Sequence, residues 1–264
     1  MTQLAYIHPE AKIGKNVVIG KFVTISKNVV IEDGTWIGPR VAIMEGARIG
    51  KNCKIYTGAV ISAVPQDLKF AGEVTTTEIG DNTVIREYVT INRGTKTKGK
   101  TVVGSNCVLM SKVHIAHDVI LKDHCILHDN VAIAGEVIID EYAEISGMTA
   151  AHQFSRIGKH ALISCGSLVR KDVPPYVRAG REPLSFMGIN AQSMRRSNIP
   201  ERNIKDVQQI YRIIFQEKKN NAKSLELIEN QFSATKERDE IIEFVKNAQR
   251  GIMKGVFGDM IDKG

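Results

Sequence analysis

Aromatic side chains make up only 6% of this 264-residue chain, and its four cysteines include no CxxC pair. The first scarcity argues against a nucleic-acid surface, where bases stack on aromatic rings, and so does the mixing of charges of both signs. The second gives no sign of a zinc ribbon or a disulfide framework. No long uncharged apolar run is present to span a membrane. The stretch Met1 to Glu10 is polar and leaves no room for a secretory leader before the periodic sequence begins, so the expected compartment is the cytoplasm.

What is present is a soluble-protein core and a basic surplus. Hydrophobic residues are 43% of the chain, and 36 Lys and Arg stand against 29 Asp and Glu, a net charge of +7. A positive balance suits an acidic partner such as anionic lipid, a phosphorylated ligand or an acidic carrier protein. The dominant pattern is a bulky aliphatic at every sixth residue. It runs from Ile7 through Ile61, resumes from Ile79 to Ile91, and continues from Val103 to Val169 with only Ala151 outside Val, Leu and Ile. Four residues later in most hexads comes a small or β-branched residue, among them Val17, Ala47, Val113 and Val131; Cys53, Cys107 and Cys125 fall in this slot and read as core filler. A period of six is neither a helix nor an alternating strand. It predicts a parallel β-helix, one hexad per face of a three-sided prism.

Two stretches break the pattern and return the register. The first, 62–78, contains Pro65-Gln66-Asp67-Leu68-Lys69-Phe70; the second, 92–102, contains Arg93-Gly94-Thr95-Lys96-Thr97-Lys98-Gly99-Lys100. They are expected to be loops ejected from prism corners, and long excursions from a rigid scaffold are often functional. The repeat ends at Asp172-Val173-Pro174-Pro175, where two prolines lack ladder donors. A linker with Gly180, Pro183 and Gly188 follows. Ser197 and Asn198 ahead of Pro200 predict a helix N-terminus. Helical spacing then recurs at Val207, Ile210, Tyr211, Ile214 and Phe215, at Leu225, Leu227, Ile228 and Phe232, and at Ile241, Ile242, Phe244 and Val245. The expected organisation is a β-helix domain over 1–180 and a helical domain over 190–264 that caps its C-terminal end.

With three hexads per coil, residues eighteen apart stack at ~4.8 Å wherever the count is unbroken. From Val103 onward this places His117, Gly135 and Gln153 in one column, Asp118, Glu136 and Phe154 in the next, and Ala116, Ala134 and His152 in the one before. His114 is near in sequence. Three readings compete. Corner positions tolerate any polar residue; histidines from neighbouring subunits could ligate zinc, as in trimeric carbonic anhydrases of this fold, if three imidazoles converge; or His117 is a general base with a carboxylate partner and an oxyanion donor at the Gly135 amide. The third accounts for the most residues.

Taken together, Gln66-Asp67-Leu68-Lys69, Arg93-Gly94-Thr95, His114-Ile115-Ala116-His117-Asp118, Ala134-Gly135, His152-Gln153-Phe154, Asp172-Val173-Pro174-Pro175-Tyr176 and Arg195-Arg196 closely resemble the acyl-[acyl-carrier-protein]–UDP-N-acetylglucosamine O-acyltransferases of lipid A synthesis. The resemblance covers nearly the whole chain. It implies a left-handed parallel β-helix, a hand that runs against the usual crossover rule, and a homotrimer with active sites between neighbouring prisms. It implies His117 as base on the sugar 3-hydroxyl, Asp118 orienting it, and the Gly135 amide on the oxyanion. Gln66, Asp67 and Lys69 would hold the sugar, His114, His152 and Gln153 would line the cleft, and Asn190 and Arg196 would serve the nucleotide. Ser164, Cys165 and Gly166 would close the hydrocarbon groove. The implied donor is an acyl carrier protein thioester, with no metal and no separate cofactor.

Two residues depart from the family pattern. Glu136 follows the oxyanion glycine where the family often has histidine; a carboxylate accepts from a sugar hydroxyl but does not donate as an imidazole does. Cys165 is neither as small as glycine nor as long as methionine. The rivals are an N-acyltransferase acting on a 3-amino UDP-sugar and, from another class, the metal-dependent carbonic-anhydrase-like protein.

Overall fold

The hexad coils into three parallel sheets that form the faces of a prism. The computed structural model describes residues 4–215 and 221–255. The first face has nine strands, from Tyr6–Ile7 to Leu168–Val169, and the second has eight, from Lys12–Ile13 to Arg156–Ile157. The third has ten, from Val18–Ile19 to Ser185–Ile189. Most strands are two residues long. The second residue points inward and is a buried aliphatic, as in Ile37, Leu109 and Ile145, all 0% exposed. Each such side chain contributes about 1.5–3 kcal/mol through burial. Cys53, Cys107 and Cys125 are buried in the small inward slot, and Cys165 is exposed.

Between faces the backbone turns through a left-handed residue. Asparagine tolerates that conformation best after glycine and supplies it at Asn16, Asn28, Asn52, Asn82, Asn106 and Asn130. The stacking follows the count of eighteen: His114 pairs with Ala132, Ala132 with Ala150 and Ala150 with Leu168. Both interruptions add whole hexads. Val60 pairs with Thr90, thirty positions on, and Thr90 with His114, twenty-four on. Both loops leave from the corner between the first and second faces, which is also the corner of His117. They are shorter than the broken pattern suggests, because Thr76–Ile79 and Lys100–Val103 have joined the second face by the time the hexad is regained. That pairing satisfies backbone groups at the loop roots.

Beyond the double proline the chain stays in the third face. Val177–Gly180 pairs parallel with Leu162–Ile163 and antiparallel with Ser185–Ile189, so the glycine- and proline-marked linker is a hairpin. Four helices follow among the described residues: α1 (Ala191–Arg196), α2 (Glu201–Phe215), α3 (Asn221–Gln231) and α4 (Lys236–Lys246). The short α1 has no apolar period long enough to show in sequence, and it changes the role of Ser197. That residue is the C-cap of α1, its N–H donating to Ser193 O and Met194 O, rather than the N-cap of α2. Helix α2 buries Ile204, Val207, Ile210, Tyr211, Ile213 and Ile214, and α4 buries Ile241, Ile242, Phe244 and Val245. The Tyr211 hydroxyl donates to Pro175 O, and Arg156 lies 4.6 Å over the Phe244 ring. These contacts hold α2 and α4 against the last coils of the prism.

Candidate active site

His117 and Asp118 form the corner between the strands His114–Ile115 and Ile120–Leu121. Asp118 is fully buried in the left-handed conformation, φ 60°. The His117 Nδ1 lies 2.9 Å from Asp118 Oδ2. The carboxylate already accepts from the backbone N–H groups of Thr95 and Lys98, so it is the acceptor here too and Nδ1 carries the proton. The lone pair for base chemistry is then on Nε2. One rung above, a Cβ placed on Gly135 would sit 2.6 Å from His117 Cε1 and Nε2, which is why this position is glycine. The ladder between the rungs is explicit: Glu136 N donates to His117 O at 3.0 Å, and Phe154 N to Gly135 O at 3.2 Å. The Gly135 N–H has no hydrogen-bond partner among the described residues, so a free donor stands beside the free imidazole nitrogen.

The remaining sequence-predicted residues lie in several places. Glu136, His152 and Gln153 share this corner with the dyad. The His152 Nδ1 is 3.0 Å from Gln153 O, and the ring is exposed. His114 projects from the adjoining first face, where Nδ1 lies 2.8 Å from Thr90 Oγ1 and burial lowers its pKa, favouring a neutral ring. A cleft of about 620 Å³ opens beside Glu136 and Phe154, with Lys98, Arg156, Asp172 and Lys246 on its wall.

Gln66, Asp67 and Lys69 sit on the first loop, where the Asp67 carboxylate accepts Lys69 N at 3.0 Å. Within the described residues none of the three bonds to the dyad. Ser164, Cys165 and Gly166 occupy a different corner, between the third and first faces. Asn190 is the N-cap of α1: its side-chain oxygen accepts Ser193 N at 3.3 Å and its Nδ2 donates to His160 O at 2.9 Å. Arg195 is paired with Glu201 at 2.9 Å, whereas Arg196 is exposed with no polar partner among the described residues.

Four of the seven histidines, His114, His117, His124 and His128, are close in sequence, but they do not share one corner. His124 turns the second corner and stacks on Tyr142, and His128 lies 3.0 Å from Glu144 on the third face. Among the described residues no group of three or more His, Cys, Asp or Glu side chains is arranged to hold a metal ion. What the sequence reading left out is the grip on Asp118 from Thr95, Lys98 and Thr101. Thr101 carries a weak sequence signal, a hydroxyl in the small inward slot; Thr95 lies in an aperiodic loop, where its one signal is its place in the Arg93-Gly94-Thr95 motif and nothing points to Asp118.

Residues 172–253 match the family model described as UDP N-acetylglucosamine O-acyltransferase, domain 2. Residues 28–63 and 100–135 match the six-repeat bacterial transferase hexapeptide. The acyl-[acyl-carrier-protein]–UDP-N-acetylglucosamine O-acyltransferase of Myxococcus xanthus is 41% identical over 95% of this chain and 97% of its own length. This chain belongs to that acyltransferase family. The family's enzyme from Xylella fastidiosa is 40% identical over 95% of this chain and 96% of its own. Among solved structures, the UDP-N-acetylglucosamine acyltransferase of Bacteroides fragilis superposes with a TM-score of 0.94 at 48% identity, covering 96% of this chain and 100% of that one. The Acinetobacter baumannii structure gives 0.92 at 36% identity, covering 95% and 98%. The fold is accordingly the left-handed parallel β-helix of hexapeptide repeats, followed by a helical C-terminal region. No helix among the described residues is long and apolar enough to cross a membrane.

Proposed function

We propose that this chain transfers a (R)-3-hydroxyacyl group from an acyl carrier protein thioester to the 3-hydroxyl of UDP-N-acetylglucosamine, the first step of lipid A biosynthesis, as a cytoplasmic homotrimer. The observation that carries the reading is the dyad: Nδ1 of His117 held on Asp118 at 2.9 Å, with Nε2 turned toward the Gly135 position. In this mechanism Nε2 takes the proton of the sugar 3-hydroxyl as that oxygen attacks the thioester carbonyl. Asp118 stabilises the imidazolium that forms, and the Gly135 N–H donates to the oxyanion of the tetrahedral intermediate. Collapse breaks the C–S bond, and the departing thiolate recovers the proton from His117. The thioester is already activated, so the residues supply orientation, proton transfer and charge stabilisation.

Gln66, Asp67, Lys69, His114, Glu136, His152 and Gln153 would hold the sugar, Asn190 and Arg196 the nucleotide, and Ser164, Cys165 and Gly166 the end of the acyl chain. Arg196 is available for a diphosphate, because its neighbour Arg195 already has a carboxylate. Asn190 keeps one amide hydrogen beyond its capping bonds. The division into an acyltransferase domain over 1–180 and a helical domain over 190–264 belongs to the same reading.

The positions of these groups support the trimer. The edge of the first face that meets the second carries the dyad and the exposed Leu68, Val74 and Phe154; the edge that meets the third carries Ser164 to Gly166 and the exposed Phe22, Tyr88 and Met148. A head-to-tail ring sets one edge of each prism against the other edge of the next. That arrangement buries both apolar rows and joins the two half-sites.

The direct test is mass spectrometry of products from UDP-N-acetylglucosamine and a panel of acyl carrier protein thioesters. An O-linked 3-acyl product supports the assignment, and absence of any acylated sugar nucleotide across the panel would refute it. Sedimentation velocity tests the ring: fully active stable monomer contradicts a shared site.

A further inference from the structure

The second loop turns back over the corner it leaves and closes on Asp118. Thr95 donates from its backbone N–H to Asp118 Oδ1 and Oδ2 at 3.0 and 3.2 Å, and from its hydroxyl to Oδ2 at 2.6 Å. The Lys98 N–H donates to Oδ1 at 3.2 Å, and the Lys98 ammonium to Asp118 O at 3.1 Å. From the coil itself, Thr101 Oγ1 accepts the Asp118 N–H at 2.8 Å. Thr95 is 3% exposed.

The direction of the hydroxyl bond is determined. Thr95 Oγ1 accepts the Thr97 N–H at 3.2 Å, so its single proton is left to point at the carboxylate. That proton meets Oδ2, the same oxygen that receives His117 Nδ1. A carboxylate free to rotate about its terminal torsion samples a broad range. Donors on both oxygens restrict it to the orientation in which a remaining lone pair of Oδ2 is aimed at the imidazole.

We infer that Thr95 is a positioning residue for acyl transfer: its hydroxyl orients Asp118, which in turn orients His117. The inference rests on the reading of His117 as the base. It gives the second loop a task distinct from substrate contact, that of a clasp on the orienting carboxylate. The clasp extends to the first loop, since Glu73 Oε1 accepts Lys96 N at 3.0 Å and Arg93 lies 5.4 Å over the Phe70 ring.

The test compares Thr95→Val, which removes the hydroxyl and keeps the branched shape and the backbone donor, with Thr95→Ser, which keeps the hydroxyl. Charge-assisted bonds of this kind lead us to expect a roughly tenfold lower kcat for Thr95→Val, with an unchanged KM for the sugar nucleotide. Thr95→Ser should recover kcat to within about twofold, and Thr95→Val placed on Asp118→Asn should add less than about twofold, because both changes act through one carboxylate. Should the valine methyl prevent folding, Thr95→Ala takes its place against the same serine control. Unchanged kcat in Thr95→Val, equal losses in the valine and serine variants, or a full tenfold loss retained on Asp118→Asn would each overturn the inference. His117→Ala separates the two failures. If it retains turnover, the base assignment falls; if it is inactive while the Thr95 series is flat, only the positioning role falls.

Discussion

Two corners of the prism share one backbone and carry opposite chemistry. At the corner between the first and second faces, Asp118, Glu136 and Phe154 stand in the left-handed conformation at φ 60°, 61° and 66°; at the corner between the second and third, His124, Tyr142 and His160 do so at 60°, 61° and 56°. None of the six is Gly or Asn; Asp and His tolerate this conformation better than most residues, but Glu136, Phe154 and Tyr142 each cost about 1 kcal/mol that asparagine would largely spare. At the second corner the cost is offset by like stacking on like. His124, Tyr142, His160 and Tyr176 form a ladder of rings with centroids 4.7, 4.8 and 5.6 Å apart. Its end is tied to the helices through His160 and Ser193, and through the Tyr176 hydroxyl, which donates to Glu240. At the first corner unlike residues stack, glycine opens a gap beside an imidazole, and the carboxylate is held by a loop instead of by its vertical neighbours. The coil is indifferent to what occupies its turns. A self-complementary column makes a strut, and a column of unlike polar groups with one missing side chain makes a site.

The strongest way to break this comparison is to truncate one histidine at each corner. His117→Ala is expected to lower single-turnover acyl transfer by ~10²–10⁴ with the melting temperature little changed. His124→Ala should leave the rate near wild type. Equal rate losses would show the corners to be functionally alike.

Gly135→Ala sharpens the site half. The added methyl would meet the imidazole at 2.6 Å, so the ring must move by about 1 Å, and a misplacement of about 1 Å costs roughly 10²-fold in rate. A crystal structure of the variant should show the ring displaced, and normal turnover with an undisplaced ring would remove the steric argument.

The strut half predicts stability instead. His160→Ala should cost about 2–4 kcal/mol in chemical denaturation, as expected for truncating a buried ring. Burial, helped by Lys159, lowers the His160 pKa from 6.5 to about 4. The unfolded chain therefore takes up this proton first as the pH falls. Stability is full above about pH 6.5 and declines toward pH 4, by roughly 3 kcal/mol for this group. Denaturation midpoints across that range should fall more steeply in the wild type than in His160→Ala, and parallel curves would discount the effect.

The smallest expected effect lies beyond both corners, at the end of α1. Arg196→Ala should weaken sugar-nucleotide binding by about 1.5–3 kcal/mol in calorimetry while sparing affinity for the carrier protein. The reverse pattern would assign Arg196 to carrier docking.

Much of this molecule is legible in its residues because the signal is periodic. A buried aliphatic every six positions marks the inward side of each strand, the count of eighteen places His117 under Gly135, and the family motifs point to the same column. The exceptions have local physical causes. His124 and His128 look clustered with His114 and His117 in sequence, but six residues advance the chain by a whole face, so they point elsewhere. Ser197 looks like an N-cap because α1 is too short to show a period. Asn190 spends most of its amide on capping α1 and on His160 O.

The sequence by itself determined the coil, its three faces, the composition of its core and which residues share a column, because burial of a repeated side chain is a local property that stacking only multiplies. Tertiary structure alone decided that an aperiodic loop folds back so that Thr95 grips Asp118, and that the last helices pack on the final coils. Those contacts join segments with no shared period, and their partners are chosen by where loops close and by which buried polar groups must be satisfied.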